Sequence, residues 1–165
     1  MKIAFSDYDG TLAVPGEGVP AENIDAIHAW RSAGNKFGIV TGRDHSLIAM
    51  ETAAYKIPVD FYICCNGAAL HDTTGTPMAL THLPRTAMER FFASKHVRTY
   101  EGGMLFFTAE RAYSYRLRTD VLPSCLTPLE RIEDALDLTD VIQMGMKFSD
   151  RAETLAAFSA IDADF

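Results

Sequence analysis

The first 65 residues of the chain alternate short apolar, β-rich runs with helical patterns. Runs over 2–6, 36–40 and 61–65 predict strands, and the stretches over 20–33 and 44–55 between them predict helices. The order strand, helix, strand, helix, strand is typical of a parallel sheet with right-handed crossovers. It therefore predicts an α/β fold, in which chemistry collects at the carboxyl ends of the strands.

Polar residues and glycines follow each of the three predicted strands. They are Asp7 and Asp9 after the first strand, Thr41, Gly42 and Arg43 after the second, and Asn66 and Gly67 after the third. Because the carboxyl ends of parallel strands meet at one edge of a sheet, three separate segments are expected to converge on one rim.

The two aspartates suggest a reaction type. Asp7 and Asp9 are two residues apart, so both side chains point to the same side of an extended chain, and Gly10 lets the chain turn where a side chain would obstruct it. Two close carboxylates repel each other, and a bound hard cation such as Mg²⁺ commonly offsets this repulsion. One carboxylate can then attack phosphorus to form an aspartyl-phosphate. The other can deliver a proton to the leaving alkoxide and later draw one from water.

The segment after the second strand suits a phosphate group. Thr41 offers a hydroxyl, and the turn over 41–43 offers backbone N–H groups. Each of these features also has a simpler interpretation. The two aspartates could be solvated turn residues, and Thr41 and Arg43 could form an ordinary turn and helix start. Asn66 could serve only to shape its turn.

Three motifs carry a resemblance to a known family. DYDGTL at 7–12 matches the DxDGT signature of the haloacid dehalogenase (HAD) superfamily, and IVTGR at 39–43 matches its second motif. CNGA followed by the hairpin-like ALHDTTGTPM resembles the Cof-type sugar-phosphatase branch. The resemblance implies a HAD-like, Rossmann-type parallel sheet and a Mg²⁺-dependent phosphohydrolase.

The resemblance also implies roles for individual residues. Asp7 would be the nucleophile, Asp9 the general acid/base, and Thr41 the residue that holds the transferring phosphoryl group. The residues expected to bind phosphate or substrate are Gly10, Thr11, Gly42, Arg43, Asn66 and Gly67. Mg²⁺ would be held by Asp7 and by a main-chain carbonyl at Tyr8 or Asp9.

The second half of the chain resembles a C2-type cap, an α/β region that closes over the site and selects the substrate in Cof-like phosphatases. Residues 1–82 are expected to form the N-terminal part of the HAD core, and residues 83–165 the cap-like region. Its predicted elements are helices over 86–96, 129–136 and 150–161 and strands over 104–108, 113–117 and 143–148. In the last helix, Asp150 is expected to cap the start, with Leu155, Phe158 and Ile161 as an inner stripe.

The resemblance ends before the C-terminal core motifs of the family, a phosphoryl-neutralising lysine and a GDxxxD-like acidic motif. Lys147 comes too early to be that lysine, and Asp162 and Asp164 have no glycine turn before them. The chain is therefore expected to be truncated, or completed by a partner chain. The strand that carries Asp7 would then have an unpaired, apolar edge, which favours a homo-oligomer.

Composition and charge bear on location and partners. The formal net charge of −7 disfavours nucleic-acid binding, and the neighbouring Arg116 and Arg118 stand close to Asp120 rather than in a basic patch. Three cysteines, of which Cys64 and Cys65 are adjacent, do not form an even disulfide framework and favour buried packing in a reducing cytoplasm. No apolar run is long enough to span a bilayer. A cytoplasmic protein that acts on a small phosphorylated metabolite, without nucleic-acid or membrane partners, is expected.

Three functional classes remain open at this point. The first is a phosphomonoesterase that works through an aspartyl-phosphate. The second is a catalytically incomplete fragment or a phosphate- or metal-binding module without turnover. A receiver domain is the least favoured class, because DYDGT lies on the first strand and no later strand ends in an aspartate suited to phosphorylation.

Overall fold

The computed structural model describes residues 1–117, 126–148 and 150–162. The chain divides into two compact units, Met1–Thr81 and His82–Phe165. Arg118, Asp120 and Asp164, which entered the sequence predictions, lie outside the described residues. None of the helices in the three described ranges is long and apolar enough to cross a membrane.

The first unit is built on one five-stranded sheet. Its elements are β1 (Ile3–Asp7), α1 (Ala21–Ser32), β2 (Lys36–Val40), α2 (His45–Ala54), β3 (Phe61–Cys64), β4 (Ala69–Asp72) and β5 (Pro77–Leu80). The strands lie in the order β1-β2-β3-β4-β5, with β1, β2 and β3 parallel and the β4–β5 hairpin antiparallel. This architecture confirms the predicted α/β fold with a parallel sheet.

The start of α2 is set by a helix cap directly after the second strand end. The Asp44 carboxylate accepts hydrogen bonds from the backbone N–H groups of Ser46 at 2.9 Å and Leu47 at 3.4 Å. Two N–H groups that the first turn of a helix leaves unpaired are thereby satisfied. Ile48 and Thr52 then bury one face of the helix. The cap therefore fixes the position at which the chain leaves Arg43 and becomes helical.

One edge of the first sheet is unpaired in the described part of the chain. There, β1 pairs only with β2, and Ile3 and Phe5 on β1 are about half exposed, at 53% and 51%. This agrees with the predicted apolar edge on the strand that carries Asp7. Such an edge presents free backbone groups and apolar side chains to any strand that can pair with it.

The second unit contains a four-stranded sheet and several helices. Its described elements are α3 (Arg85–Ala93), α4 (Lys95–Thr99), β6 (Met104–Thr108), β7 (Ala112–Tyr115), β8 (Leu126–Pro128), a 3-10 helix (Ile132–Asp137), β9 (Val141–Met146) and α5 (Arg151–Asp162). The strand order is β8-β7-β6-β9. Its core is formed by Val97, Met104, Phe106 and Ala135.

Two predicted helices of this unit differ from the structure. The helix predicted over 86–96 is two helices, because Ser94 between α3 and α4 has an extended backbone with ψ of 132°. Serine is a weak helix former in such interior positions. The helix predicted over 129–136 is the 3-10 helix Ile132–Asp137 instead. The short strand β8 had no counterpart in the sequence prediction.

The last helix begins as predicted but buries a different face. The N–H of Glu153 donates to the Asp150 carboxylate at 2.8 Å, which confirms the expected cap. The predicted inner stripe was wrong for Leu155 and Phe158, which are 58% and 71% exposed, and was confirmed for Ile161. The inward face of α5 instead contains Ala157, which is buried, and Ile161 four residues later, which packs against the core of the unit.

Candidate active site

The turn after β1 closes on the carbonyl of Tyr8. The N–H groups of Thr11, Leu12 and Ala13 donate to this oxygen at 3.4, 3.1 and 2.8 Å. The carbonyl of Asp9, by contrast, accepts none of the backbone hydrogen bonds in this turn. The carbonyl oxygen of Tyr8 is therefore used by hydrogen bonds within the turn, whereas the carbonyl oxygen of Asp9 is available to another partner.

Gly10 and Thr11 shape the same turn in different ways. Gly10 has a φ of +77°, a conformation that glycine adopts without a steric penalty. A Cβ there would meet nothing within 4 Å, so the expectation that a side chain would obstruct the turn was wrong, and the requirement is conformational. Thr11 donates its hydroxyl hydrogen to the Asp7 carboxylate at 3.1 Å. The exposed Asp7 side chain is thereby held at the end of β1.

Arg43 joins the end of β1 to the segment after β2. Its Nε and Nη2 donate to the two carboxylate oxygens of Asp9 at 2.9 and 2.6 Å, a bidentate pair. Its Nη1 donates to Glu51 on α2, and its guanidinium lies over the Tyr8 ring at 5.2 Å from the ring centroid. The hydrogen bond to Asp9 raises the pKa of Arg43, and the Glu51 carboxylate adds to the shift.

Tyr8 forms the buried support under this ion pair. Its side chain is 1% exposed, although it stands between two exposed aspartates. Burial raises the pKa of Tyr8, and the nearby Glu51 carboxylate adds to this shift. The phenol is therefore neutral at physiological pH and serves as an aromatic surface beneath the Arg43 guanidinium.

The segment after β2 is hydrogen-bonded to the segment after β3. Asn66 donates its N–H to the Thr41 carbonyl at 3.2 Å, and Cys65 donates its N–H to the Arg43 carbonyl at 2.9 Å. A Cβ on Gly42 would lie 3.0 Å from Oδ1 of Asn66, so glycine allows this close approach. The third strand end is strongly turned, with positive φ values at Cys65, Asn66 and Gly67.

Thr41 is the buried member of the predicted set. Its side chain is 3% exposed, and its hydroxyl oxygen accepts the Arg43 N–H at 3.2 Å. Because a hydroxyl both accepts and donates, the Thr41 hydrogen remains available to a second acceptor. The structure thus links Asp7 with Thr11, Asp9 with Arg43, and Gly42 with Asn66, while Cβ positions at Gly10 and Gly67 face open space.

Glu51 was absent from the sequence prediction. It lies eight residues after Arg43 on α2, and no motif singles out a glutamate in the middle of a helix. The available signal was its position two helical turns beyond the predicted rim. With Tyr8, Asp9, Arg43 and Tyr55, Glu51 lines a cavity of about 390 Å³, and the segment 13–18 lines it as well.

The oxygen atoms at the end of β1 can meet the needs of a hard cation. Within the described ranges, no group of three or more histidine, cysteine or acidic side chains gathers to form a metal cage. Mg²⁺ does not need one, because it commonly binds through one or two carboxylates together with substrate phosphate and water. The Asp7 carboxylate and the Asp9 carbonyl are oxygen ligands of the required kind.

The adjacent cysteines behave as packing residues, as the sequence predicted. Both thiols are buried and free. Burial raises the pKa of each thiol to about 12. Since the thiolate is the reactive form, Cys64 and Cys65 are poor nucleophiles at physiological pH.

A relative of known sequence is similar to part of the chain. The chain is 40% identical over 73 residues to pyridoxal phosphate phosphatase YbhA of Escherichia coli K12, an alignment that covers 43% of this chain and 26% of that protein. The aligned region therefore spans about a quarter of the length of this relative.

Solved structures share the fold along nearly the whole chain. The HAD subclass IIB sugar phosphatase BT4131 superposes with a TM-score of 0.75 at 21% identity, covering 98% of this chain and 64% of that protein. A haloacid dehalogenase-like hydrolase from B. subtilis gives a TM-score of 0.80 at 16% identity, covering 98% and 67%. The family model described as haloacid dehalogenase-like hydrolase matches residues 4–151. A match over that span includes all three strand ends of the first unit, and the chain therefore belongs to the haloacid dehalogenase-like hydrolase family.

Proposed function

We propose that the first unit carries the phosphoryl-transfer site of a Mg²⁺-dependent phosphomonoesterase that acts on a small phosphorylated metabolite. The observation that carries the proposal is the joining of three strand ends into one site. Asp9 after β1 is paired with Arg43 after β2, and Arg43 and Thr41 are hydrogen-bonded to the turn after β3. Carboxylates, a buried hydroxyl and backbone N–H groups on one rim suit a phosphate monoester.

In the proposed reaction, Asp7 is the nucleophile. One Asp7 carboxylate oxygen attacks phosphorus, the bond from phosphorus to the leaving oxygen breaks, and an aspartyl-phosphate forms. The bond that Asp7 accepts from Thr11 orients the attacking carboxylate. Thr41 donates its hydroxyl hydrogen to an oxygen of the transferring group, and the neighbouring backbone N–H groups limit the movement of that group.

Asp9 moves the protons in both half-reactions. It gives its proton to the leaving alkoxide in the first, and takes one from the water that attacks the aspartyl-phosphate in the second. The products are the alcohol and inorganic phosphate, and Asp7 and Asp9 return to their starting states. The Asp9 side chain is 57% exposed, and each of its carboxylate oxygens keeps a lone pair beyond the one that accepts from Arg43, so that a proton can bind there.

Mg²⁺ is the proposed cofactor, held by the Asp7 carboxylate and the Asp9 main-chain carbonyl. The sequence left Tyr8 and Asp9 open as the carbonyl donor, and the three N–H groups on the Tyr8 oxygen favour Asp9. When bound, the ion supplies charge that offsets the repulsion between phosphate and carboxylate.

The substrate is proposed only to the level of a small phosphate monoester. Pyridoxal phosphate and sugar phosphates are named for the relatives YbhA and BT4131, respectively. Residues 83–165 are proposed as the C2-type cap region that chooses among such substrates. We also propose a cytoplasmic location, together with self-association through the unpaired β1 edge.

The test is phosphate release from an aryl phosphate, pyridoxal phosphate and hexose phosphates by the 165-residue chain. Release is expected with Mg²⁺, and loss of release is expected with a chelator or in Asp7→Asn. Identical release by wild type and Asp7→Asn would reject the proposed nucleophile. Mg²⁺-dependent phosphate binding without any release would support the second candidate, a binding module, which the engagement of Asp9 by Arg43 favours.

A further inference from the structure

We infer that Glu51 is a positioning residue that acts through Arg43 to orient the carboxylate of Asp9. The inference rests on the proposed function, because the orientation of Asp9 matters for turnover only if Asp9 moves protons. Glu51 lies on α2, outside the three segments that the sequence motifs mark, and is connected to Asp9 through the Arg43 guanidinium.

The guanidinium of Arg43 is held by three separate groups. Nε and Nη2 donate to the two Asp9 oxygens, Nη1 donates to Glu51, and the face of the group lies over the Tyr8 ring. The Arg43 side chain is 30% exposed and Glu51 is 35% exposed, so both are partly withdrawn from water. A planar group fixed at both edges and on one face has little freedom to rotate.

This arrangement gives Arg43 a different task from the phosphate contact expected from the sequence. Three of its N–H groups are directed to carboxylates of its own chain rather than to an open anion site. A fork-shaped pair with Asp9 defines the plane of that carboxylate, which a single hydrogen bond would leave free to turn. Glu51 therefore determines where the plane of Asp9 lies, because it fixes the far edge of the guanidinium.

The consequence for catalysis is specific. An acid/base group must meet the leaving oxygen and then the attacking water within hydrogen-bond reach, and a small misplacement of such a group is costly in rate. Loss of Glu51 is expected to slow turnover without weakening the binding of phosphate itself. Loss of a phosphate ligand would do the opposite, because it would raise KM and weaken product binding.

The kinetic test compares Glu51→Gln and Glu51→Asp with wild type, using an aryl phosphate in the presence of Mg²⁺. The Gln variant keeps the size of the side chain and removes its charge, and is expected to lower kcat about tenfold to a hundredfold. Its KM and its inhibition constant for inorganic phosphate are expected to stay within about twofold of wild type. The Asp variant, which restores the charge on a shorter side chain, is expected to recover part of kcat. Glu22→Gln, an exposed glutamate in the first turn of α1, is the matched control.

Coupling between the two residues is tested with Arg43→Lys. If Glu51 acts through Arg43, the double variant loses no more activity than Arg43→Lys alone. Additive losses, or a Glu51→Gln variant with weaker phosphate binding and an unchanged kcat, would overturn the inference.

A second readout does not depend on turnover. The Nε–H signal of Arg43 in ¹⁵N NMR spectra, assigned by its loss in Arg43→Lys, is expected to exchange slowly with water in wild type and at least severalfold faster in Glu51→Gln. The Glu22→Gln control is expected to match wild type. An unchanged exchange rate in Glu51→Gln would show that Glu51 does not hold Arg43, whereas failure of wild type to release phosphate would reject the proposed function alone.

Discussion

The imidazole rings of His45 and His71 stack with their centroids 4.5 Å apart and their planes inclined by 29°. His45 is the first residue of α2, and His71 lies on β4, 3% exposed. Burial lowers the pKa of both rings, and His45 lowers that of His71 further, while Asp44 and Asp72 oppose the shifts. The stacked pair is therefore most stable when both rings are neutral.

This pair predicts a loss of stability in mild acid. Because both native pKa values lie below the ordinary value near 6.5, the unfolded chain binds protons first as the pH falls. The contribution of the pair is thus complete above about pH 6.5 and decreases as the pH falls below it. Urea unfolding between pH 7.5 and 5 is expected to show this decrease.

The variant His71→Phe keeps a ring at the stack and removes one titrating group. Its stability is expected to depend less steeply on pH than that of wild type over the same range. The exposed His28, changed to Gln, serves as the control and should retain the wild-type slope. If the stability of His71→Phe depends on pH as steeply as that of wild type, the stacked pair does not control stability in acid.

The contacts of Asp60 predict a second dependence of stability on pH, at lower pH than that of the histidine pair. Its carboxylate accepts hydrogen bonds from Arg31 at 2.8 and 2.9 Å, from Lys36 at 2.9 Å and from the Phe37 N–H at 2.9 Å. The Arg31 hydrogen bond, more than any other partner, holds the pKa of Asp60 well below its usual value. Asp60→Asn is expected to lower the free energy of unfolding by about 2 kcal/mol at pH 7.

The sign of the Asp60 effect follows from its lowered pKa. The stabilisation is present above the unfolded value near 4 and is lost as the pH falls below it toward the native pKa. Wild type and Asp60→Asn should therefore converge in stability below about pH 4. A difference that stays constant from pH 7 to pH 3 would contradict this assignment.

Gly10 and Gly34 form a matched pair for separating stability from activity. Their φ values are +77° and +79°, and a Cβ at either meets nothing within 4 Å. Replacement of either by Ala is expected to lower the free energy of unfolding by about 1 kcal/mol, through backbone strain alone. Only Gly10→Ala should also lower phosphate release. Equal activity in the two variants would show that the turn after β1 tolerates displacement.

The unpaired edge of β1 predicts self-association of the 165-residue chain. Ile3→Lys places a charge on this edge and is expected to shift the chain toward monomer, measured by size-exclusion chromatography with light scattering. Met50→Lys is the control, since it removes a similarly exposed apolar side chain from a helix rather than from a strand edge. A wild-type chain that is monomeric at all concentrations would contradict the prediction.

Local rules predicted the first unit well. Its strands, its helices and the cap at Asp44 follow from apolar runs, turn residues and a helix-start signal that lie close together in the sequence. The rim was predictable for the same reason, because the topology of a parallel sheet brings strand ends together. The roles assigned to Asp7, Asp9 and Thr41 stay predictions.

The errors arose where contacts between distant segments decide the outcome. Leu155 and Phe158 are apolar, yet α5 buries the face of Ala157 and Ile161, because packing within the second unit selects the inward side. Glu51 could not be identified for a similar reason. Its importance comes from Arg43, which reaches it from a loop, and no periodic pattern records such a contact.

The most direct measurement of the central claim is the location of the phosphoryl group on acid-quenched Asp9→Asn supplied with an aryl phosphate and Mg²⁺. An aryl oxide leaves without needing a proton, whereas the attacking water needs the base that this variant lacks, so the intermediate should accumulate. Peptide mass spectrometry is expected to find the phosphoryl group on Asp7. Release of phosphate with no phosphoryl group on Asp7, or with the group on another residue, would contradict the claim.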